Sequence, residues 1–354
     1  MIKRRTLQAA DLEAAILGGL LLSAGGSGMA SSARHRKLGE EALERGRVGL
    51  VAMEEFDEED ELLVSTAVGA PAASGARTEP QDAVDAANAL VSASGCIPRG
   101  VIPGHVPGMY AWTIAAALNM PLADAATNGR AHPTQKMGGM GLASKPEHPL
   151  WQAGSAAGLR AVVQGSLTKT SNVMRAVAVQ NGGLINAVRG PFTAGFVREH
   201  GAPGAIDFAL RLGEVMLAAK GSAKVAAAAD FLKGSVLLEG EVAQNSVTYR
   251  DGFDVGALRV GDVTLGVYNE LMSAERNGER LATFPDFLGS LDPATGDPLA
   301  ISELKPGRRV AVVFASRKNI PLGAGVFDPA VYPEVEAAMG VELASYVFKE
   351  RSTR

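Results

Sequence analysis

Asp124, Asn128, Arg130 and His132 fall within nine residues of one stretch, 122–133. Pro121 closes the apolar helical pattern before them, because proline offers no N–H and its ring clashes with the preceding turn. A short buried strand over 122–124 is the expected continuation. The charged and amide groups then stand on the loop beyond its carboxyl end, where open α/β sheets place their ligands. Arg130 presents a fixed fork of donors suited to a carboxylate, a phosphate or an imide carbonyl, with Asn128 beside it. The bland alternative is a salt bridge from Arg130 to an acid such as Asp124. His105 sits in a second shaped loop, 103–108, which holds two prolines and two glycines and follows a short strand at 100–103.

His105, Asp124 and His132 are therefore expected at one edge of a parallel sheet. Two imidazoles and a carboxylate could ligate a divalent metal such as zinc or iron. They could equally form an acid/base group, or only hydrogen-bond. The pattern holds no His-x-x-x-His, and the three come from separate loops. Gly25, Gly26, Ser27 and Gly28 could cradle an anion with bare backbone. This loop follows a helix, however, and no Gly-Lys-Ser/Thr occurs in it, so the nucleotide fingerprints are excluded. What remains is a tight helix–helix turn, either purely structural or with amides that face the site. The stretch Gly69-Ala70-Pro71 with Ser74-Gly75 is expected as a plain strand-to-helix connection or as a lining of the same crevice, and Lys136 with the glycines of 137–141 as a mobile lid or second cradle. Asn269 and Glu270 interrupt a strand later in the chain, as a functional pair or as an edge-strand polar pair. His35, His148 and His200 are expected in solvent, and Cys96, with no charged neighbour in sequence, as a buried thiol.

The elements that must position these groups change character along the chain. A first helix is expected between Thr6 as its cap and Gly25 as its stop, and a second over 36–45. Strands at 47–53, 62–68, 100–103 and 160–164 alternate with helices at 80–93 and 110–119, which implies parallel pairing. Helical patterns dominate 169–233, at 172–181, 192–199, 205–219 and 225–233. From 235 to 316 the pattern is β, at 236–242, 264–267, 280–284 and 309–314, with turns marked by Asp251-Gly252 and Asn277-Gly278. The reading is an α/β N-terminal domain over 1–165 with a mainly parallel sheet, carrying the site. An α+β C-terminal half over 166–354 follows, helical first and then a small β structure.

Composition excludes several classes. The 354 residues carry a net charge of −4 and only 5% aromatics, so neither a phosphate-collecting stripe nor base-stacking platforms are present and no nucleic-acid partner is expected. A single cysteine excludes an internal disulfide and a Cys-based zinc cage. Lys3, Arg4 and Arg5 before an apolar run imitate a secretory signal, but Asp11 and Glu13 interrupt it, so the segment reads as a first helix of a cytoplasmic protein. No apolar run approaches the roughly 20 residues that span a bilayer. The expected partners are a small-molecule substrate and further copies of the chain in a homo-oligomer, with no membrane.

Taken in order, several of these residues resemble the S-methyl thiohydantoin desulfurase family, associated with hydantoinase/oxoprolinase genes. The resemblance runs through Leu17-Gly18 and the loop at Gly25, Gly69-Ala70-Pro71, Asp124-Ala125, Gly129-Arg130-Ala131 and Pro133. It continues in Asn269-Glu270, the run 281–286, the run 291–298 and the run 309–313. It implies the fold, and water addition at a thioimidate carbon with methanethiol leaving. Asp124, His105 and His132 would be catalytic, and Asn128, Arg130, Gly25, Gly26, Gly28, Asn269 and Glu270 would bind substrate. This chain departs from the family pattern at polar positions. It has His105 for an acid, Pro107-Gly108-Met109-Tyr110 for Gly-Gly-x-Asn, Ala126 for a second aspartate, His132 for an aromatic and Thr134 for a glutamate. Ser27 stands in a glycine loop that lacks the usual aspartate-proline. The expectation is a divergent hydrolase or desulfurase-like enzyme for a small cyclic amide or S-methyl thiohydantoin. The alternative is a non-catalytic ligand-binding or regulatory protein of the same fold.

Overall fold

The computed structural model describes residues 3–69, 78–250 and 252–349. The loop expected at residues 70, 71, 74 and 75 lies outside them, as does Asp251 of the expected turn. The chain opens with β1 (Arg4–Thr6) and α1 (Ala9–Leu22). Thr6 belongs to the strand, and the helix is capped by a reciprocal Gln8–Asp11 arrangement instead. Leu12, Ile16, Leu20, Leu21 and Leu22 are all buried. This helix therefore buries nearly its whole circumference rather than one face. It lies between α2 (Ser32–Arg45), α7 (Ala205–Ala218) and the strand at Phe287–Leu291. Gly18 and Gly213 let α1 and α7 touch backbone to backbone, since a Cβ at either would collide with a carbonyl of the other helix.

The next elements are β2 (Gly49–Val51), β3 (Glu61–Gly69) and α3 (Pro80–Ser94). Pro80 starts α3 and Gly95, at φ +72°, stops it. Then come β4 (Gly100–Pro103), α4 (Met109–Ala117), β5 (Leu122–Ala123) and the two-residue β6 (Ala125–Ala126). A hairpin of β7 (Pro149–Ala156) and β8 (Leu159–Ser166) leads into α5 (Leu167–Gln180), β9 (Leu184–Thr193), α6 (Ala194–His200) and β10 (Ala202–Pro203). After α7 comes α8 (Ala223–Phe231).

These strands form a mixed sheet in the order β1-β2-β5-β4-β3-β9-β7-β8. The parallel pairing expected of the N-terminal half runs through β2, β5, β4 and β3. Antiparallel strands extend it on both sides. The stretch 169–233 is not wholly helical, because β9 inserts there. It satisfies the free edge of β3, so the sheet crosses the expected division at residue 165.

The second sheet is antiparallel throughout. It contains β11 (Ser235–Asn245), β12 (Thr248–Arg250), β13 (Phe253–Val260), β14 (Val263–Tyr268), β15 (Glu270–Arg276), β16 (Glu279–Thr283), β17 (Phe287–Leu291) and β18 (Arg309–Ala315). Its order is β16-β15-β14-β13-β11-β18-β17, with β12 on β13, and it curls until β15 and β17 touch. Val242, Leu258, Leu265, Leu271, Leu288 and Val312 form its core. The chain closes with α9 (Tyr332–Met339) and α10 (Ala344–Val347). Among the described residues no helix is long and apolar enough to cross a membrane.

Candidate functional site

A cavity of about 250 Å³ opens where the end of β3, the bend after β4, the 132–135 loop, α2 and the β14–β15 turn meet. The bend after β4 rests on α1, where Gly19 alone leaves room for Pro107. Gly108, at φ +62°, turns the chain into α4. This fixes His105 in the cavity wall. Its Nδ1 lies 2.9 Å from the Val106 carbonyl, and the Nδ1 of His132 lies 2.9 Å from the Thr134 carbonyl. A carbonyl only accepts, so each Nδ1 carries the proton and each Nε2 keeps its lone pair. The rings meet edge to face with centroids 5.8 Å apart. Burial lowers the His105 pKa against the pull of the Val106 carbonyl. Burial, then His105, then Arg189 lower that of His132 to about 3. Both rings are neutral at pH 7.

His35, expected in solvent, lines the same cavity from α2. Burial, then Arg34 and His105, lower its pKa to about 4. The solvated face of α2 is the side bearing Lys37, Glu40 and Glu44, so that expectation is corrected. His148 is exposed, as its proline-flanked loop implied, whereas His200 is partly covered by Phe196, with ring centroids 4.5 Å apart.

Across the β14–β15 turn, Asn269 takes the left-handed conformation at φ +58°. Its Oδ1 accepts from the Asp254 N–H (2.9 Å) and its Nδ2 donates to the Pro133 carbonyl (3.3 Å). Asn269 thus ties the second sheet to the His132 loop and sets Glu270 into the cavity wall. Burial raises the Glu270 pKa to about 8, with Arg130 opposing and Asp254 reinforcing. At pH 7 the carboxyl is mostly protonated and can donate.

Three further groups were not singled out from sequence. Ser65 and Gln135 line the cavity with buried polar atoms that have no hydrogen-bond partner among the described residues. Arg189, fully buried on β9, donates to the carbonyls of Gln135 (3.1 Å) and Gly138 (2.7 Å) and so pins the 132–138 loop. Ser65 left a trace, as a hydroxyl inside the apolar run 62–68. Gln135 and Arg189 left none, because their meaning depends on β9 lying beside β3.

Other expected residues are placed elsewhere. Asp124 does not stand with the histidines. Its Oδ1 accepts from the N–H groups of Ile206 (3.1 Å) and Asp207 (3.0 Å) at the start of α7, facing a separate small cleft with Arg5 and Glu54. The donors of that helix end draw the carboxylate away. Burial raises its pKa to about 6 despite those two bonds. Among the described residues no three His, Cys, Asp or Glu side chains gather as metal ligands, so the set His105, His132 and Asp124 is not assembled.

Asn128 and Arg130 are fully buried, and their polar groups serve the backbone. Asn128 donates to the Arg130 carbonyl (2.8 Å) and accepts from the Gly323 N–H (3.2 Å). Arg130 donates to the carbonyls of Asp286 (2.6 Å) and Ala131 (3.1 Å), with its guanidinium 4.8 Å over the Phe284 ring. In place of a salt bridge to Asp124 it has Glu270 and Asp286 as its nearest countercharges.

In the glycine loop, the Gly26 N–H donates to the Ser23 carbonyl (2.9 Å) and the Ser27 N–H to Ser23 Oγ (3.1 Å). Gly25 is left-handed at φ +88°, and Gly28 packs so closely on Ala300 that a Cβ would collide. Of this loop, Ser27 lines the cavity. The glycines 138–141 form no open lid, since Arg189, Leu167 and Gly325 pack on them and Lys136 pairs with Glu334. Cys96 is buried, and burial pushes its thiol pKa up.

A mixed α/β sheet joined to a curled antiparallel sheet, with a small cavity at their junction, defines the class. The chain belongs to the S-Me-THD-like family: the N-terminal-domain model matches residues 10–164 and the C-terminal-domain model residues 166–320. The fold is shared by a protein from Chromobacterium violaceum known from its crystal structure. That protein is 21% identical, with a TM-score of 0.73 over 96% of this chain and 99% of the other. No curated protein matches the chain.

Proposed function

We propose that the chain is a hydrolase of small cyclic amides or S-methyl thiohydantoin-type thioimidates, working in the His105–Glu270 cavity. One observation carries the reading. The neutral imidazole of His105, its proton held on Nδ1 by the Val106 carbonyl, shares a small cavity with a carboxyl held mostly protonated, which supplies a base and an acid at one pH.

The step balances with these groups alone. His105 Nε2 takes a proton from water as the oxygen bonds to the thioimidate carbon, and Glu270 gives its proton to the ring nitrogen. The C=O then forms as the hydroxyl returns a proton to Glu270. The C–S bond breaks, and methanethiolate takes the proton from His105. Water is consumed, and the cyclic amide and methanethiol are released. His132, edge-on to His105, keeps the first ring in place. Family membership supports the substrate class.

The test is thiol release from an S-methylated thiohydantoin. Glu270→Gln and His105→Gln are each expected to lower kcat/KM by about 10²-fold or more. Ligand binding by the wild type without release of thiol would sink the hydrolase reading in favour of a binding protein.

A further inference from the structure

The charges lining the cavity do not balance. Among the described residues its one acidic lining residue is Glu270, which burial keeps mostly protonated at pH 7, and its three imidazoles are neutral. Two cations remain, Arg34 and Arg175, and neither forms an ion pair among the described residues. Arg34 is exposed and already donates to Tyr110 Oη (2.9 Å) and Thr78 Oγ1 (3.2 Å). Arg175, on α5, is half-buried and has no acceptor among the described residues, yet none of its nitrogens is shut off from solvent. Its guanidinium lies 4.1 Å over the Phe253 ring, which stacks on Tyr268 with centroids 4.6 Å apart. Phe253 precedes Asp254, whose N–H donates to Asn269 Oδ1, and Tyr268 and Glu270 flank Asn269. Arg175 therefore stands against the corner of the second sheet that sets Glu270 into the cavity wall. Burial lowers its pKa, opposed by Tyr268, Glu334 and Tyr249, and Glu334 is itself paired with Lys136. A guanidinium stays charged, and one partly out of water without a countercharge is costly. Its fork of donors matches the two oxygens of a carboxylate.

We propose that the substrate of this cavity carries a carboxylate on its ring substituent, and that Arg175 is the specificity-determining residue that binds it. The proposal rests on the cavity being a cyclic-amide site and adds the charge that the substituent must bear. The protonated Glu270 and the neutral imidazoles leave such an anion unrepelled, and Arg34 adds attraction that solvent screens. A carboxamide of the same shape offers one acceptor and one donor, so it leaves part of the guanidinium fork unpaired.

The experiment compares hydantoin-5-acetic acid with hydantoin-5-acetamide at pH 7, by calorimetric titration of the full chain in wild-type, Arg175→Met, Arg175→Lys and Arg34→Gln forms. Wild type is expected to prefer the acid by about tenfold or more. Arg175→Met should bring the ratio close to one while binding the acetamide as wild type does, which shows that the variant is folded. Arg175→Lys, which keeps the charge but loses the fork, should retain part of the preference, and Arg34→Gln should keep most of it. Equal binding of the two ligands by wild type, or an undiminished preference in Arg175→Met, overturns the proposal and leaves the cyclic-amide reading standing. Loss of the preference in Arg34→Gln alone overturns it too. Failure of wild type to bind either ligand overturns it together with the cyclic-amide reading. A preference that depends on Arg175, without thiol release in the separate assay, supports the proposal and removes only the hydrolase reading.

Discussion

His105 and His132 stand edge to face, with 5.8 Å between ring centroids and 89° between ring planes. Each ring is oriented by a carbonyl of its own loop, so their shared edge is set by two backbone segments rather than by a bond between them. A proton on either ring raises the cost of one on the other. Burial lowers both imidazoles, with His105 adding to the shift of His132, so both are expected to titrate below their ordinary 6.5. The rate should fall on the acid side only below that value. Histidine ring NMR across pH 4–8 measures this directly, and a ring titrating at or above 6.5 would contradict the proposed base.

Glu270 sets the alkaline side. Its carboxyl, raised from 4.5 to about 8, is the proton donor, so kcat/KM is expected to fall as pH rises through about 8. Glu270→Gln should remove that limb along with most of the rate. The same shift bears on stability. The folded state holds a proton that the unfolded state releases, so stability present below 4.5 is lost as pH rises through about 8. Between pH 5 and 8.5 wild type should lose at least about 2 kcal/mol relative to Glu270→Gln, read by denaturant titration.

Gly138 lies under the His132 ring, where a Cβ would collide with Cε1 and Nε2. Gly138→Ala is expected to displace the imidazole, lowering kcat/KM by about 10²-fold. The His132 ring resonances should move while those of His148, exposed on its own loop, stay in place. Unchanged His132 resonances would show that the ring does not sit on Gly138.

Arg130 joins the two halves by donating from the first to the Asp286 carbonyl of the second (2.6 Å). Arg130→Met should cost about 3 kcal/mol or more in denaturant unfolding, because the buried carbonyls of Ala131 and Asp286 lose their donor. A variant as stable as wild type would return Arg130 to the substrate-binding role.

Asp124 caps α7 from outside the cavity. Asp124→Ala is expected to lower stability by about 1 kcal/mol and leave kcat/KM of the folded protein unchanged. A loss of rate without a loss of stability would place Asp124 back in the chemistry.

Local chemistry determined much of this protein. Proline at 80 and 121, glycine at 95 and the alternation of strand and helix fixed where elements start, stop and pair in parallel. The density of polar groups near 105 and 132 marked two walls of the cavity. Tertiary structure alone decided which neighbours in sequence share a site. Asp124, Arg130 and His132 lie within a few residues, yet α7 donors draw the first away, backbone carbonyls of the second sheet take up the next, and the third meets the cavity. Glu270 arrives from more than a hundred residues further on, and Gln135 is held by an arginine on β9. A buried polar group points to whichever partner satisfies it, and that partner is supplied by elements distant in sequence whose packing no local pattern encodes.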